Sequence, residues 1–180
     1  MRLFVAVPVP EELRAKAAEL GKEMKVDKRA LSFVKAGNMH LTLRFLGEID
    51  DETVAEVRER LRTIKFERFE CALRGIGAFP NENYVRIVWV GAESGGKLEA
   101  LAKNVIHVLR GFGKEEKEEG GQFSAHLTLA RVKQRVDVRE FIAKHKNDQF
   151  GSFEISEFHL IASVLKPEGS EYKVVEKFRA

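Results

Sequence analysis

Apolar and polar positions follow two different periods along this chain, and each change of period marks an element. Residues 2–9 are an apolar run of strand length, closed by Pro8 and Pro10. Residues 11–25 switch to helical spacing. Leu13, Ala17, Leu20 and Met24 share a stripe, and Glu11 and Glu12 stand where a helix N-terminus favours negative charge. Segments 31–34 and 38–46 return to strand character around Ala36-Gly37-Asn38. A second helix opens at Asp50, Asp51 and Glu52 and runs to Thr63, with Val54, Val57, Leu61 and Ile64 at helical spacing. Segments 66–79 and 84–91 form a hairpin pattern around Pro80-Asn81-Glu82-Asn83. A third helix, 95–112, lies between Gly95-Gly96 and Gly111. A charged, glycine-flanked loop, 113–122, is expected to be a solvated surface segment or a flap near the substrate. A strand over 123–132, a short helix over 137–147 and a strand pair, 150–165 and 170–178, complete the chain. That last pair turns at Lys166-Pro167-Glu168-Gly169.

Several strand neighbours are close enough for hairpins, so the sheets are expected to be mainly antiparallel and the class α+β. The uninterrupted strand–helix–strand rhythm of a doubly wound parallel fold is missing, and so are the usual Gly-rich phosphate loops.

Composition narrows the picture. A chain of 180 residues, 44% hydrophobic and 33% charged, suits one globular domain or two small lobes sharing a core. No apolar run approaches the roughly 20 residues that span a bilayer. The opening run is too short for a signal peptide, so the cytoplasm and no membrane partner are expected. A single cysteine, Cys71, excludes an internal disulfide and a cysteine-based metal centre. It falls in an alternating stretch and is expected to be a small buried residue. The net charge of +3 suits a phosphate-bearing partner without demanding one. Abundant Lys, Glu and Arg beside one cysteine fit a protein from a hot habitat.

The chemistry lies in a repeat. NMHLTLRFLG at 38–47 and FSAHLTLARV at 123–132 both contain His-Leu-Thr-Leu, in a chain with five His and four Thr. Chance supplies about 0.1 His-x-Thr pairs here. Each copy falls on an expected strand followed by a helix, which suggests two duplicated halves about a pseudo-two-fold axis. Strand side chains alternate faces, so His40 and Thr42 point one way, and Leu41 and Leu43 the other. His126 and Thr128 stand against Leu127 and Leu129 in the same manner. Side by side, the two strands give one cleft two imidazoles and two hydroxyls. Of two imidazoles, one can accept a proton while the other donates one. Threonine hydroxyls can donate to oxygens that gain charge. This equipment suits displacement at a phosphodiester. A lone His-x-Thr is usually structural, but two matching copies reverse that balance. Zinc would need a third ligand, and no Asp, Glu, His or Cys recurs with the motifs.

With these motifs the chain resembles the two-histidine phosphoesterases, and within them the RNA 2′,3′-cyclic phosphodiesterases, also called 2′-5′ RNA ligases. The resemblance spans nearly the whole chain: RLFVAVPVP, MHLTLRFLG, FSAHLTLAR and the closing LIASVLKPEGSEYKVVEKF. It implies a single bilobal domain over 1–180, with antiparallel sheets lining a central cleft, helices outside, and the motif strands facing each other across the cleft. It implies hydrolysis of a terminal 2′,3′-cyclic phosphate to a 2′-phosphate, with 2′-5′ ligation as the reverse chemistry. On this basis His126 is the proton acceptor for water and His40 the proton donor to the 3′-oxygen. Thr42 and Thr128 hold the non-bridging oxygens, and neither metal nor organic cofactor is needed. The implied partner is RNA with 2′,3′-cyclic phosphate ends, tRNA fragments and nucleotides among the candidate forms, acted on by a monomer.

Arg131 matches a phosphate-binding position of the family, and a guanidinium fork suits that task. Its parity is opposite to that of His126 and Thr128, so a bend or bulge near Ala130 is required to bring it into the cleft. By parity alone, Arg44 is the better-placed cation. Tyr172 and the 166–169 turn are expected to border the cleft; Phe45 and Phe123 could wall it or stack a base, with core packing favoured for both. His107, His145 and His159 repeat no motif and are read as structural. The alternative to an enzyme is an RNA- or nucleotide-binding module with little turnover.

Overall fold

Each change of period becomes an element in the computed structural model, which describes residues 1–113, 123–167 and 169–180. In chain order these are β1 (Arg2–Pro8), α1 (Glu11–Lys22), β2 (Leu31–Phe33), β3 (His40–Glu48), α2 (Asp51–Arg62), β4 (Phe69–Asn81), β5 (Tyr84–Glu93) and α3 (Lys97–Val108). There follow β6 (His126–Val132), α4 (Arg139–His145), β7 (Gln149–Ile155), β8 (Glu157–Lys166) and β9 (Gly169–Arg179). The expected helices are present but shorter by a turn or less at their ends. The start of α2 follows from its sequence: Asp50 accepts from the Thr53 amide at 2.8 Å. Such a cap contributes about 1 kcal/mol. Beyond Gly113 the charged loop lies outside the described residues, as does Glu168.

The strands form one antiparallel sheet in the order β7-β4-β5-β6-β3-β1-β8-β9, with β2 added against β6. It curls into a half-barrel. The order is symmetric about the β6–β3 junction, with four strands on either side. A β1-α1-β3-α2 run answers to β5-α3-β6-α4, which is the duplication expected from the repeated string. One expectation needs correction. The motif strands do not face each other across the cleft; they are direct neighbours in the sheet, paired at Leu41 and Leu127.

A second correction concerns 150–165. It is two strands rather than one, broken at Ser156, and they serve opposite halves. β7 pairs with β4, while β8 pairs with β1 and β9. The apolar alternation barely falters at the break, because both strands bury a face in the same core.

The two faces of the sheet differ. Leu41, Leu43, Leu127 and Leu129 are at most 3% exposed and share a core with Leu13 and Leu20 of α1, Leu61 of α2 and Leu101 of α3. At roughly 25 cal/mol per Å² of buried apolar surface, each such leucine contributes on the order of 2 kcal/mol. On the other face Phe4, Ala6 and Ile161 form a separate small cluster with Tyr172 against it. Cys71 is fully buried, and burial pushes its thiol up to about 12, which suits a packing role. His145 and His159 are also buried, against Asp148 and Glu157 at 2.7 Å.

Candidate active site

Period-two alternation holds only as far as the fourth residue of each motif. In β6, Trp89 pairs with Thr128 and Val88 with Ala130, so Leu129 is an extra residue without a partner on β5. In β3, Ala6 pairs with Thr42 and Val5 with Arg44, and Leu43 is skipped in the same way. Both HLTL segments therefore end in a β-bulge at the same position. A bulge resets which face the following residues occupy. Leu129 and Ala130 are both buried, and Arg131 returns to the cleft beside His126 and Thr128. The distortion that Arg131 required is present.

The same event in β3 defeats the parity argument for Arg44. Although Arg44 borders the cleft, its guanidinium donates to the carbonyls of Ile106 and Phe112, both at 2.9 Å, around the C-terminal end of α3. A cation at a helix C-terminus satisfies orphan carbonyls and complements the dipole. Phe45, not Arg44, takes the place in β3 that Arg131 holds in β6.

The pairing of Leu41 with Leu127 sets the register of the two motif strands. Counting outward, Thr42 falls opposite His126 and His40 opposite Thr128. In an antiparallel ladder such opposite residues are about 5 Å apart at Cβ, and the diagonal pair, here the two histidines, about 7–8 Å. His40, Thr42, His126, Thr128, Arg131 and Tyr172 all line one cavity of about 1170 Å³.

Each imidazole is held in place twice. His126 Nδ1 lies 2.7 Å from the Ser124 carbonyl, so Nδ1 carries the proton and Nε2 is left for the cleft. The main chain of Asn38, likewise two residues before its histidine, hydrogen-bonds His40. Aromatic rings complete the support. Phe4 stacks on His40 at 4.7 Å between centroids, and Tyr172 meets the same ring edge-on at 5.4 Å. Phe79 meets His126 edge-on at 4.9 Å. Burial pushes His40 down to about 4, against the opposing Asn38 bond, with the charges of Arg131 and His126 adding to the shift. Burial also lowers His126, again opposed by a carbonyl bond and assisted by Arg131.

The sequence profile of the LigT-like phosphoesterases matches residues 7–89. A relative from Archaeoglobus fulgidus, named RNA 2′,3′-cyclic phosphodiesterase, is 38% identical over 99% of both chains. This chain belongs to the LigT-like phosphoesterase family. Its fold is similar to the crystal structure of TT0787 from Thermus thermophilus, with a TM-score of 0.79, 34% identity, and coverage of 99% of this chain and 97% of the other. It is also similar to E. coli LigT complexed with 3′-AMP, with a TM-score of 0.80 and 25% identity over 99% and 97% of the two chains.

In this LigT-like cleft the motif residues, Arg131 and Tyr172 stand together as expected from sequence. Phe45 and Phe123, for which core packing was favoured, also line the cavity, and Phe45 is 37% exposed. Residues that sequence reasoning missed are Phe4, Phe79, Asn38 and Ser124. A signal existed for the last two, since each sits two places before a motif histidine. Among the described residues, the charged side chains lining the cavity are all cationic: Lys35, Arg44, Arg86, Arg110 and Arg131. No group of three or more His, Cys, Asp or Glu side chains suited to a metal gathers among the described residues, and no described helix is long and apolar enough to cross a membrane.

Proposed function

We propose that this chain opens RNA 2′,3′-cyclic phosphate ends to 2′-phosphomonoesters, using its two histidines and no metal. The observation that carries this reading is the junction of β3 and β6. It brings two imidazoles, each braced by a main-chain hydrogen bond, and two hydroxyls to one face of the sheet, in a cleft whose described charged side chains are all cationic. The family and the relatives' names support the substrate class.

His126, with Nε2 facing the cleft, takes a proton from water as the water oxygen attacks phosphorus. The bond from phosphorus to the 3′-oxygen breaks, and His40 gives that oxygen its proton. The phosphate stays on the 2′-oxygen. Thr42, Thr128 and Arg131 hold the non-bridging oxygens as their charge grows. If a 5′-hydroxyl takes the place of water, the same proton transfers join two RNAs by a 2′-5′ bond without ATP. In the free protein burial keeps His40 neutral near pH 7, so the donor proton is acquired as the phosphate anion enters and raises the affinity of the ring for it.

Replacing either histidine by Ala should lower kcat/KM for a 2′,3′-cyclic phosphate by about 10²–10⁴-fold in EDTA. Because acid and base act as a unit, the double variant should be little slower than either single one. Near-normal turnover in folded His40→Ala or His126→Ala protein would end the assignment.

A further inference from the structure

The cleft extends well past the four motif side chains. At about 1170 Å³ it exceeds the roughly 300–1,000 Å³ typical of single small-ligand sites. From the motif its wall runs along β5 toward the turn after β4. Ile87 pairs with Arg131. Tyr84 stands three residues further along β5, past an irregularity at which Phe79 pairs with Ile87 and Pro80 with Val85. Tyr84 is 57% exposed and, like Arg86, lines the cavity. The Arg86 guanidinium lies 5.3 Å from the centre of the Tyr84 ring, and its Nη2 donates to the Tyr84 hydroxyl at 3.3 Å.

An aromatic face and a guanidinium held together are the elements by which proteins grip single-stranded nucleic acid. The ring stacks a base, and the cation meets the backbone. Arg86 covers part of the ring, and at 57% exposure Tyr84 keeps surface on which a base can stack. We propose that Tyr84 and Arg86 form a subsite for the nucleotide next to the cyclic end, making an RNA strand, rather than a mononucleotide, the preferred substrate. This subsite rests on the hydrolase reading above. It adds to that reading the side chains that separate a strand from a lone cyclic nucleotide.

The test compares kcat/KM for a trinucleotide ending in a 2′,3′-cyclic phosphate with that for a nucleoside 2′,3′-cyclic phosphate. The wild-type chain should favour the trinucleotide by about tenfold or more. Tyr84→Ala should bring this ratio close to unity, while Tyr84→Phe, which keeps the stacking face, should preserve it. Arg86→Ala should make the salt dependence of the trinucleotide reaction shallower by about 0.7 in log–log slope. Equal rates on both substrates in the wild-type chain would overturn the subsite and leave the hydrolase reading standing. A ratio that survives Tyr84→Ala and Arg86→Ala together would do the same. Failure to open either substrate would overturn both.

Discussion

The imidazole of His40 packs against Phe4 and Tyr172, and burial pushes it down to about 4, well below a solvated histidine. His126, at the equivalent place in the other half, is lowered as well. In the free protein both rings are therefore neutral at pH 7, and the state with one proton on the pair is a minor one. On the proposed mechanism a bound phosphate would reverse this for His40, since a nearby anion favours the charged ring. Two consequences follow for the pH profile. kcat/KM, which reports the free enzyme, should peak on the acid side of pH 7 and fall as pH rises. kcat, which reports the complex, should peak at higher pH. Coincident optima at pH 8 or above would show that the donor is not a histidine held neutral by this cleft. Arg131 contributes to both shifts, so its own charge is part of what keeps the histidine pair unprotonated before substrate binds.

At the scale of elements, the site depends on strands that depart from regularity. The repeated string, its strand character and the face on which each histidine stands were all legible from alternation alone. The bulges at Leu43 and Leu129 were legible only as a requirement for Arg131. Whether a ladder skips a residue is decided by the partner strand, and β1 and β5 lie far from β3 and β6 in sequence. For the same reason the commitment of Arg44 to the end of α3 could not be read, because hydrogen bonds to Ile106 and Phe112, more than 60 residues away, form only once the chain has folded. The division of 150–165 at Ser156 was hidden by apolar character that continues across it. Support beneath His126 also depends on a close approach between strands. Gly77 pairs with Trp89, and a Cβ at residue 77 would lie 2.3 Å from two atoms of the Trp89 ring. In Gly77→Ala the Trp89 ring or the strand has to give way, and that ring contacts Phe79 and His126 at 5.0 and 6.3 Å between centroids. Overpacking of this kind costs about 1–3 kcal/mol, so Tm should fall by roughly 2–10 °C. Turnover should fall with it, as His126 is displaced. A variant with wild-type Tm and kcat would show that Trp89 can move without disturbing the site.

For the whole molecule, the enclosure of the two histidines links the proposed catalysis to stability. The folded-state value of His40, about 4, lies below the roughly 6.5 of an unfolded histidine. Between these values the unfolded chain binds more protons than the folded one, so stability falls as pH drops. The contribution of His40 is fully present above about pH 6.5 and is lost on acidification through about pH 4, amounting to about 3 kcal/mol. His126 acts in the same direction. Urea denaturation across this window should show a smaller loss for His40→Gln than for the wild-type chain. Parallel curves would mean that the ring is solvated rather than enclosed. The symmetric sheet order explains why such a site is shared by two halves. Each half supplies one histidine, one threonine and one bulge, and only their junction assembles all four side chains. The halves then diverge at the fifth place after each histidine, with Arg131 in one and Phe45 in the other.

The fate of the phosphate decides whether the proposed chemistry takes place. A defined RNA with a 2′,3′-cyclic phosphate end is incubated with the protein in EDTA, and the products are separated by the position of the phosphate. The expected products are a 2′-phosphate and a free 3′-hydroxyl, with conversion lost in His40→Ala and His126→Ala. A 3′-phosphate product, or an unopened ring until a divalent metal is added, would contradict it.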